Sequence, residues 1–143
     1  MIVEKLIPER MEGFVADPRM KFTPGDFSEH WAKMAENGWA WSVAFDDRRI
    51  AGACGLYLYD DENPRHAEMW AVFAENAGRL MLGATRRTLA VLDAARGNLD
   101  RIQARVGRSF PQGRKWVLLL GFAPSGETFE TSADVFDLYV WKG

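Results

Sequence analysis

The stretch that most constrains the fold runs from His66 to Gly97, where a strand, a tight turn and one long amphipathic helix follow one another. Positions 66–74 are typical of a strand, and the apolar or small residues of Arg79–Arg96 recur every three or four positions. This spacing places them on one face of a helix that packs back on the strand. The residues of that face are Leu80, Ala84, Thr88, Val91, Leu92 and Ala95.

The other segments alternate between the periods of strands and helices. Helices are predicted over 8–14, 27–36 and 111–120, and strands over 1–6, 39–45, 50–59, 101–106, 122–131 and 133–141. Gly52 and Gly55 lower the strand propensity of their segment, which predicts a bulge or a closely approaching backbone. The order βααβββαβαββ predicts one α+β domain over 1–143, with a mixed, mostly antiparallel sheet and helices on both faces.

Charge is unevenly distributed in these 143 residues, whose formal net charge is −2. Residues 79–115 contain nine arginines and lysines against two aspartates, a net of +7, so the remainder carries −9. A basic segment attracts the phosphates of a cofactor or a nucleic acid. The acidic remainder argues against a general nucleic-acid binder. The favoured interpretation is that these arginines lie on solvated faces of two helices and a strand.

The single cysteine and the lack of long apolar runs argue against several classes of protein. Cys54 is the single cysteine, so no internal disulfide or cysteine-clustered metal site is expected. Because it lies in an apolar run, a buried hydrophobic side chain is favoured over a nucleophile. No apolar run approaches the roughly 20 residues that span a bilayer. The first residues lack the apolar core of a signal peptide, so neither secretion nor a membrane location is predicted.

The chain resembles the GNAT superfamily of N-acetyltransferases in its order of elements. The local pattern also matches: a strand WAVFA, a turn, the long helix, the strand RIQARV, and a short helix that ends in LLLGF at Leu118–Phe122. The segments GWAW, DDRRIAGACGL, NAGRLMLGATRR and RKWVLLLGF look more narrowly like the small GNAT-like proteins of tailed phages. Some of those proteins are internal virion or assembly components.

The resemblance implies a pyrophosphate site at the turn before the long helix. Superfamily members typically have Arg or Gln-x-x-Gly-x-Gly or Ala there, because a β-carbon would keep the backbone N–H groups from the phosphates. Counted from Ala77, the motif places Leu80 and Leu82 at its two glycine positions. Counted from Arg79, it matches the basic residue and Ala84 but places Leu82 at the central glycine. The leucines therefore predict a filled turn.

The same resemblance indicates which residues would hold acetyl-CoA if it binds. The backbone groups of Val72, Phe73 and Ala74 would pair with the pantetheine arm, since such contacts do not depend on side chains. Gly78 and Arg79 would lie at the pyrophosphate.

The candidates for proton transfer are few. Superfamily members often place a tyrosine four residues before the Gly-Phe pair to protonate the leaving thiolate, and that position is Val117, which has no proton to give. Glu68 is the candidate general base, because bases are often found on this strand and Glu68 shares a face with Trp70 and Val72. The favoured interpretation of both Glu68 and His66 is nevertheless an exposed position at the start of the strand, after the Asn63-Pro64 loop.

Two hypotheses for the function follow. In the favoured one, the chain is a non-catalytic GNAT-fold protein of phage type that binds other proteins, particle components or itself, in virion structure or assembly, without a cofactor. In the alternative, it is an acetyl-CoA-dependent N-acetyltransferase with a degenerate pyrophosphate turn. Both predict a protein of the host cytoplasm or the virion. Neither requires a metal, a membrane or a nucleic acid.

Overall fold

The computed structural model describes residues 1–20, 31–60 and 62–143. The strands are β1 (Ile2–Lys5), β2 (Gly38–Ala44), β3 (Ile50–Tyr57), β4 (His66–Phe73), β5 (Arg101–Gly107), β6 (Phe122–Glu130) and β7 (Val135–Trp141). The α-helices in these ranges are α1 (Trp31–Glu36), α2 (Met81–Ala95) and α3 (Pro111–Leu119), and two 3-10 helices cover Pro8–Met11 and Ala77–Leu80. Within the described ranges, no helix is both long and apolar enough to cross a membrane.

The seven strands form one sheet in the order β1-β2-β3-β4-β5-β7-β6. Only the β4–β5 pair is parallel, and the five other neighbouring pairs are antiparallel. The parallel pair follows from the connection through α2, because parallel strands need a long crossover. The predicted α+β fold with a mixed, mostly antiparallel sheet is confirmed.

Helices cover both faces of the sheet, as predicted. On one face, Leu92 of α2 and Val117 of α3 pack against Ile102 of β5 in a buried cluster. On the other face, Trp31 of α1 packs with Trp70 of β4. Side chains that alternate along a strand therefore enter different cores.

Two helices begin differently from the prediction. The segment expected to start the long helix at Arg79 forms the 3-10 helix Ala77–Leu80, and α2 begins at Met81. Leu80 stands at the N-cap of α2 and makes no side-chain hydrogen bond to the first turn. Because leucine has no acceptor to offer the free N–H groups, the tighter 3-10 turn at the start of the helix is consistent with this cap. The helix predicted over 8–14 is the single 3-10 turn Pro8–Met11. The predicted helix 27–36 is observed over Trp31–Glu36, and its first part lies outside the described residues.

The close approach predicted at the β3 glycines is confirmed. A β-carbon on Gly55 would lie 2.5 Å from the carbonyl oxygen of Trp39 and 2.7 Å from the indole nitrogen of Trp70. One on Gly52 would lie 2.6 Å from the carbonyl oxygen of Val72. Because main-chain atoms of the sheet cannot move aside cheaply, only glycine fits at these two positions.

We expect Gly55→Ala to lower the free energy of unfolding by about 1–3 kcal/mol, the usual cost of overpacking a filled interior. The matched control is Gly97→Ala, where an added β-carbon meets nothing within 4 Å. That variant should be neutral or slightly stabilising, because alanine restricts the unfolded chain. Urea denaturation of the two variants measures the difference, and equal stabilities would contradict the close contact.

Candidate functional site

A cleft opens in the middle of the sheet where β4 and β5 part. The two strands pair only at their beginnings, through His66 with Arg101, Ala67 with Ile102 and Glu68 with Gln103. β4 continues to Phe73 and β5 to Gly107 without pairing to each other. In the described chain, the β5-facing edge of β4 beyond Glu68 therefore has no strand partner and can pair with an extended ligand.

The cleft crosses the sheet from one face to the other. Met69 and Phe73 belong to the cores under α2 and α3, whereas Trp70 belongs to the core under α1. All three line the same cleft, together with Glu68 and Arg105. The volume of this cleft is about 650 Å³. A ligand on the α2–α3 face and a ligand on the α1 face can therefore meet between the strands.

The entrance on the α2–α3 face is formed by both helices and by the end of β4. Trp116 of α3 donates a 2.8 Å hydrogen bond from Nε1 to Oγ1 of Thr85 on α2. Its indole also meets the ring of Phe73 edge-on, with the ring centroids 5.6 Å apart. Trp116 thus ties α2, α3 and β4 together at the wall of the cleft, and the sequence patterns gave no functional role to this tryptophan.

Three of the five predicted acetyl-CoA contacts lie in this part of the cleft. Phe73, Ala74 and Gly78 line it, and an added β-carbon on Gly78 would meet nothing within 4 Å. Val72 is buried on the α1 face. Arg79 is exposed and is not among the lining residues. All five assignments stay predictions, because no bound ligand tests them.

The prediction that leucine side chains fill the turn is wrong. Leu80 packs partly buried against the core that contains Phe73, and Leu82 is 65% exposed. Neither lines the cleft. The space beside Gly78 remains open for a ligand.

Glu68 lies where β4 and β5 part, with its side chain 15% exposed. Arg105 donates to both carboxylate oxygens, at 3.0 Å from Nε and 2.7 Å from a terminal nitrogen, and Gln103 Nε2 donates at 3.0 Å. Three of about four acceptor positions of the carboxylate are thereby used. Glu68 thus lines the cleft and does not take the exposed position favoured from the sequence, and its catalytic role stays a prediction.

Gln103 and Arg105 were missed in the sequence analysis, although strand alternation places them on one face of β5. Gln103 also accepts a 3.2 Å hydrogen bond from the hydroxyl of Tyr59, and burial raises the pKa of that phenol. His66 lies further from the opening, with Nε2 3.1 Å from the Asn63 amide. The polar network therefore runs from Tyr59 through Gln103 to Glu68.

The remaining candidates contribute no proton-transfer group to the cleft. Val117 lines the cleft and is buried, so an apolar side chain occupies the expected position of the tyrosine. Cys54 is fully buried in the core under α2, and burial raises the pKa of its thiol well above the usual range. Among the residues that the structure describes, no group of histidine, cysteine and acidic residues is arranged to hold a metal.

No protein-family model matches the chain, and no curated protein has a significant sequence match to it. Solved structures share its fold over nearly their whole length. The structure of smu.2055 from Streptococcus mutans UA159 has a TM-score of 0.73 at 14% identity and covers 99% of this chain and 98% of its own. A chimera of the spermidine N-acetyltransferase SpeG from Vibrio cholerae has a TM-score of 0.66 at 16% identity, covering 98% and 93%.

A GNAT-family acetyltransferase from Bacillus anthracis has a TM-score of 0.65 at 16% identity and covers 96% of this chain and 92% of its own. At such identities the likeness shows the fold and not the activity. The seven-stranded mixed sheet of this chain therefore has the same fold as these acetyltransferase structures.

Proposed function

We propose that this protein is an acyl-CoA-dependent N-acyltransferase. The observation that carries the proposal is the cleft that crosses the sheet where β4 and β5 part. It lets an acyl donor and an amine approach from opposite faces and meet between the strands. Holding two reactants in this way supplies much of the acceleration that such a transfer needs.

The described residues fit an acyl-CoA on the α2–α3 face. The edge of β4 from Met69 to Ala71 offers backbone groups to a pantetheine arm, while the Phe73 carbonyl already accepts a hydrogen bond from the Asp17 N–H. The open space beside Gly78 leaves the backbone accessible at the start of α2. Bound acyl-CoA supplies the acyl group as a thioester, so that a C–N bond to the amine forms while the C–S bond breaks. The rings of Trp116 and Phe73 make this wall apolar.

Glu68 is positioned to receive the proton that the amine loses. One acceptor position of its carboxylate remains after the bonds from Gln103 and Arg105. Because Val117 carries no acid, the departing thiolate takes its proton from solvent. A thiolate is stable enough for this, since an ordinary thiol has a pKa of about 8.5.

The phage hypothesis is a proposal with less support. It depends on Val117 at the expected position of the tyrosine, on Leu80 and Leu82 at the glycine positions of the motif, and on short segments that look like phage proteins. Two of the three solved structures described above are named acetyltransferases and none is described as a particle component. A chain that binds no acyl-CoA and co-purifies with particle proteins would favour the phage hypothesis.

Calorimetric titration with acetyl-CoA tests the proposed function directly. We expect saturable binding, and a rise in the unfolding midpoint that grows with ligand concentration. Thiol release, followed with a thiol-reactive dye, should require both acetyl-CoA and an amine. Absence of binding at millimolar acetyl-CoA would overturn the proposal.

Gly78→Glu should weaken acetyl-CoA binding by about 10-fold, or 1.4 kcal/mol, because it places a negative side chain where the phosphates are expected. The matched control is Gly97→Glu, an exposed glycine beyond the other end of α2 that also has space for a side chain. Calorimetry should find its affinity unchanged within about twofold. Equal weakening by both variants would show that net charge alone matters.

A further inference from the structure

We infer that the amine acceptor is a small primary monoamine with an aromatic body, bound on the α1 face of the cleft. This inference rests on the proposed function, because it concerns the second substrate of the same site. Three features of the described residues carry it: the aromatic wall, the pairing of the carboxylates, and a segment that ties the two walls together.

The wall of the cleft on the α1 face is aromatic. Phe129 of β6 and Phe136 of β7 are paired directly across the hairpin, so their side chains share one face, and Trp70 of β4 lies on the same face of the sheet. Phe129 is 40% exposed, and the guanidinium of Arg105 lies 5.9 Å from its ring centroid. An exposed ring in a cleft gains most from an apolar or aromatic ligand.

Methionines complete this part of the cleft. Met20 and Met34 line it and pack partly buried against the core of Trp70. Methionine adapts its shape and makes favourable contacts with rings. These side chains suit a ligand with a flat apolar group better than a ligand with a charged aliphatic chain.

The carboxylates in the cleft are mostly neutralised by arginine. Glu68 is paired with Arg105 at 2.7 Å, and Asp17 is paired with Arg19, also at 2.7 Å. The hydrogen bonds from Arg19 lower the pKa of the Asp17 carboxyl, so this pair stays ionised.

Glu75, beyond the end of β4, also lines the cleft, and its charge adds to that of Asp17 in raising the pKa of Arg19. The single nitrogen of a monoamine is the one that gives its proton to Glu68, and it needs no further carboxylate. A polyamine needs several unpaired acids along its length, because each buried ammonium requires a partner. The described charges therefore fit a monoamine.

The segment Asp17–Met20 connects the two walls of the cleft. The Asp17 N–H donates a 2.8 Å hydrogen bond to the Phe73 carbonyl at the end of β4. On the other wall, the Ser109 hydroxyl donates at 3.2 Å to the Arg19 carbonyl, and the Arg19 guanidinium lies 5.3 Å from the ring centroid of Phe110. A polypeptide cannot lie across a cleft whose walls are joined in this way, so the acceptor is small.

The test compares three amines at saturating acetyl-CoA: 2-phenylethylamine, spermidine and a short peptide with a free N-terminus. We expect thiol release with 2-phenylethylamine to have a kcat/KM at least 10-fold above the other two. A preference for spermidine or the peptide would overturn the inference and leave the proposed function standing. Acetyl-CoA binding without transfer to any of the three would also overturn it. Failure of acetyl-CoA to bind at all would instead contradict the proposed function.

The variant Phe129→Ala distinguishes the role of the aromatic wall from that of the acyl-CoA side of the cleft. Phe129→Ala should raise the KM for 2-phenylethylamine by about 10-fold and leave the KM for acetyl-CoA within twofold, because the ring lies on the acceptor face. Leu119→Ala removes an exposed apolar side chain of α3 that does not line the cleft, and should change neither constant. An unchanged KM for the amine in Phe129→Ala, with the variant folded by circular dichroism, would overturn the aromatic contact.

Discussion

Replacing Glu68 by glutamine is expected to lower kcat/KM for amine acylation by about 100-fold, the lower range for loss of a general base. Glutamine keeps the shape of the side chain but cannot take up the proton that the amine must lose. Because the proposed acetyl-CoA site lies on the other face of the sheet, the affinity for acetyl-CoA measured by calorimetry should not change.

Arg105→Gln is the matched control, because it breaks the same 2.7 Å ion pair from the opposite side and leaves the carboxylate in place. We expect a fall in kcat/KM of less than about 10-fold. If both variants lose activity equally, Glu68 supports the shape of the cleft and does not accept the proton. The kinetics therefore separate catalysis from ion pairing.

Leu92→Ala is expected to cost about 2–5 kcal/mol in the free energy of unfolding, the range for truncating a buried leucine. Leu92 is 1% exposed and lies on α2 in the core that contains Leu56, Ile102 and Val117. Because Val117 also lines the cleft, the cavity left by the leucine should loosen the α3 wall. Urea denaturation measures the loss of stability.

Leu89→Ala is the control for this variant, because it makes the same change on the same helix at a side chain that is 42% exposed. We expect its effect to stay within about 0.5 kcal/mol, as for most surface substitutions. The two variants share any change in helix propensity. A loss in Leu89→Ala comparable with that in Leu92→Ala would mean that α2 does not pack on the sheet by the face described.

Local patterns predicted the elements well, because each reports which side of a segment is buried. Alternation over 39–45 predicted β2, and spacing of three and four predicted α2 with Leu92 inward. Gly121 has a φ of +99° at the end of α3, which glycine adopts without strain, and the sequence predicted this stop. The start of α2 was predicted less well, because a 3-10 turn and an α-helical turn have nearly the same side-chain pattern.

Sequence patterns alone predict the order of the elements, their buried faces and the close strands at Gly52 and Gly55. The packing of distant segments sets the rest: β4 and β5 part after Glu68, Leu82 faces solvent, and Arg105 binds Glu68. The difference arises from distance along the chain. Buried faces depend on neighbours three or four residues away, whereas the opening depends on how two strands separated by a long helix pack in the sheet.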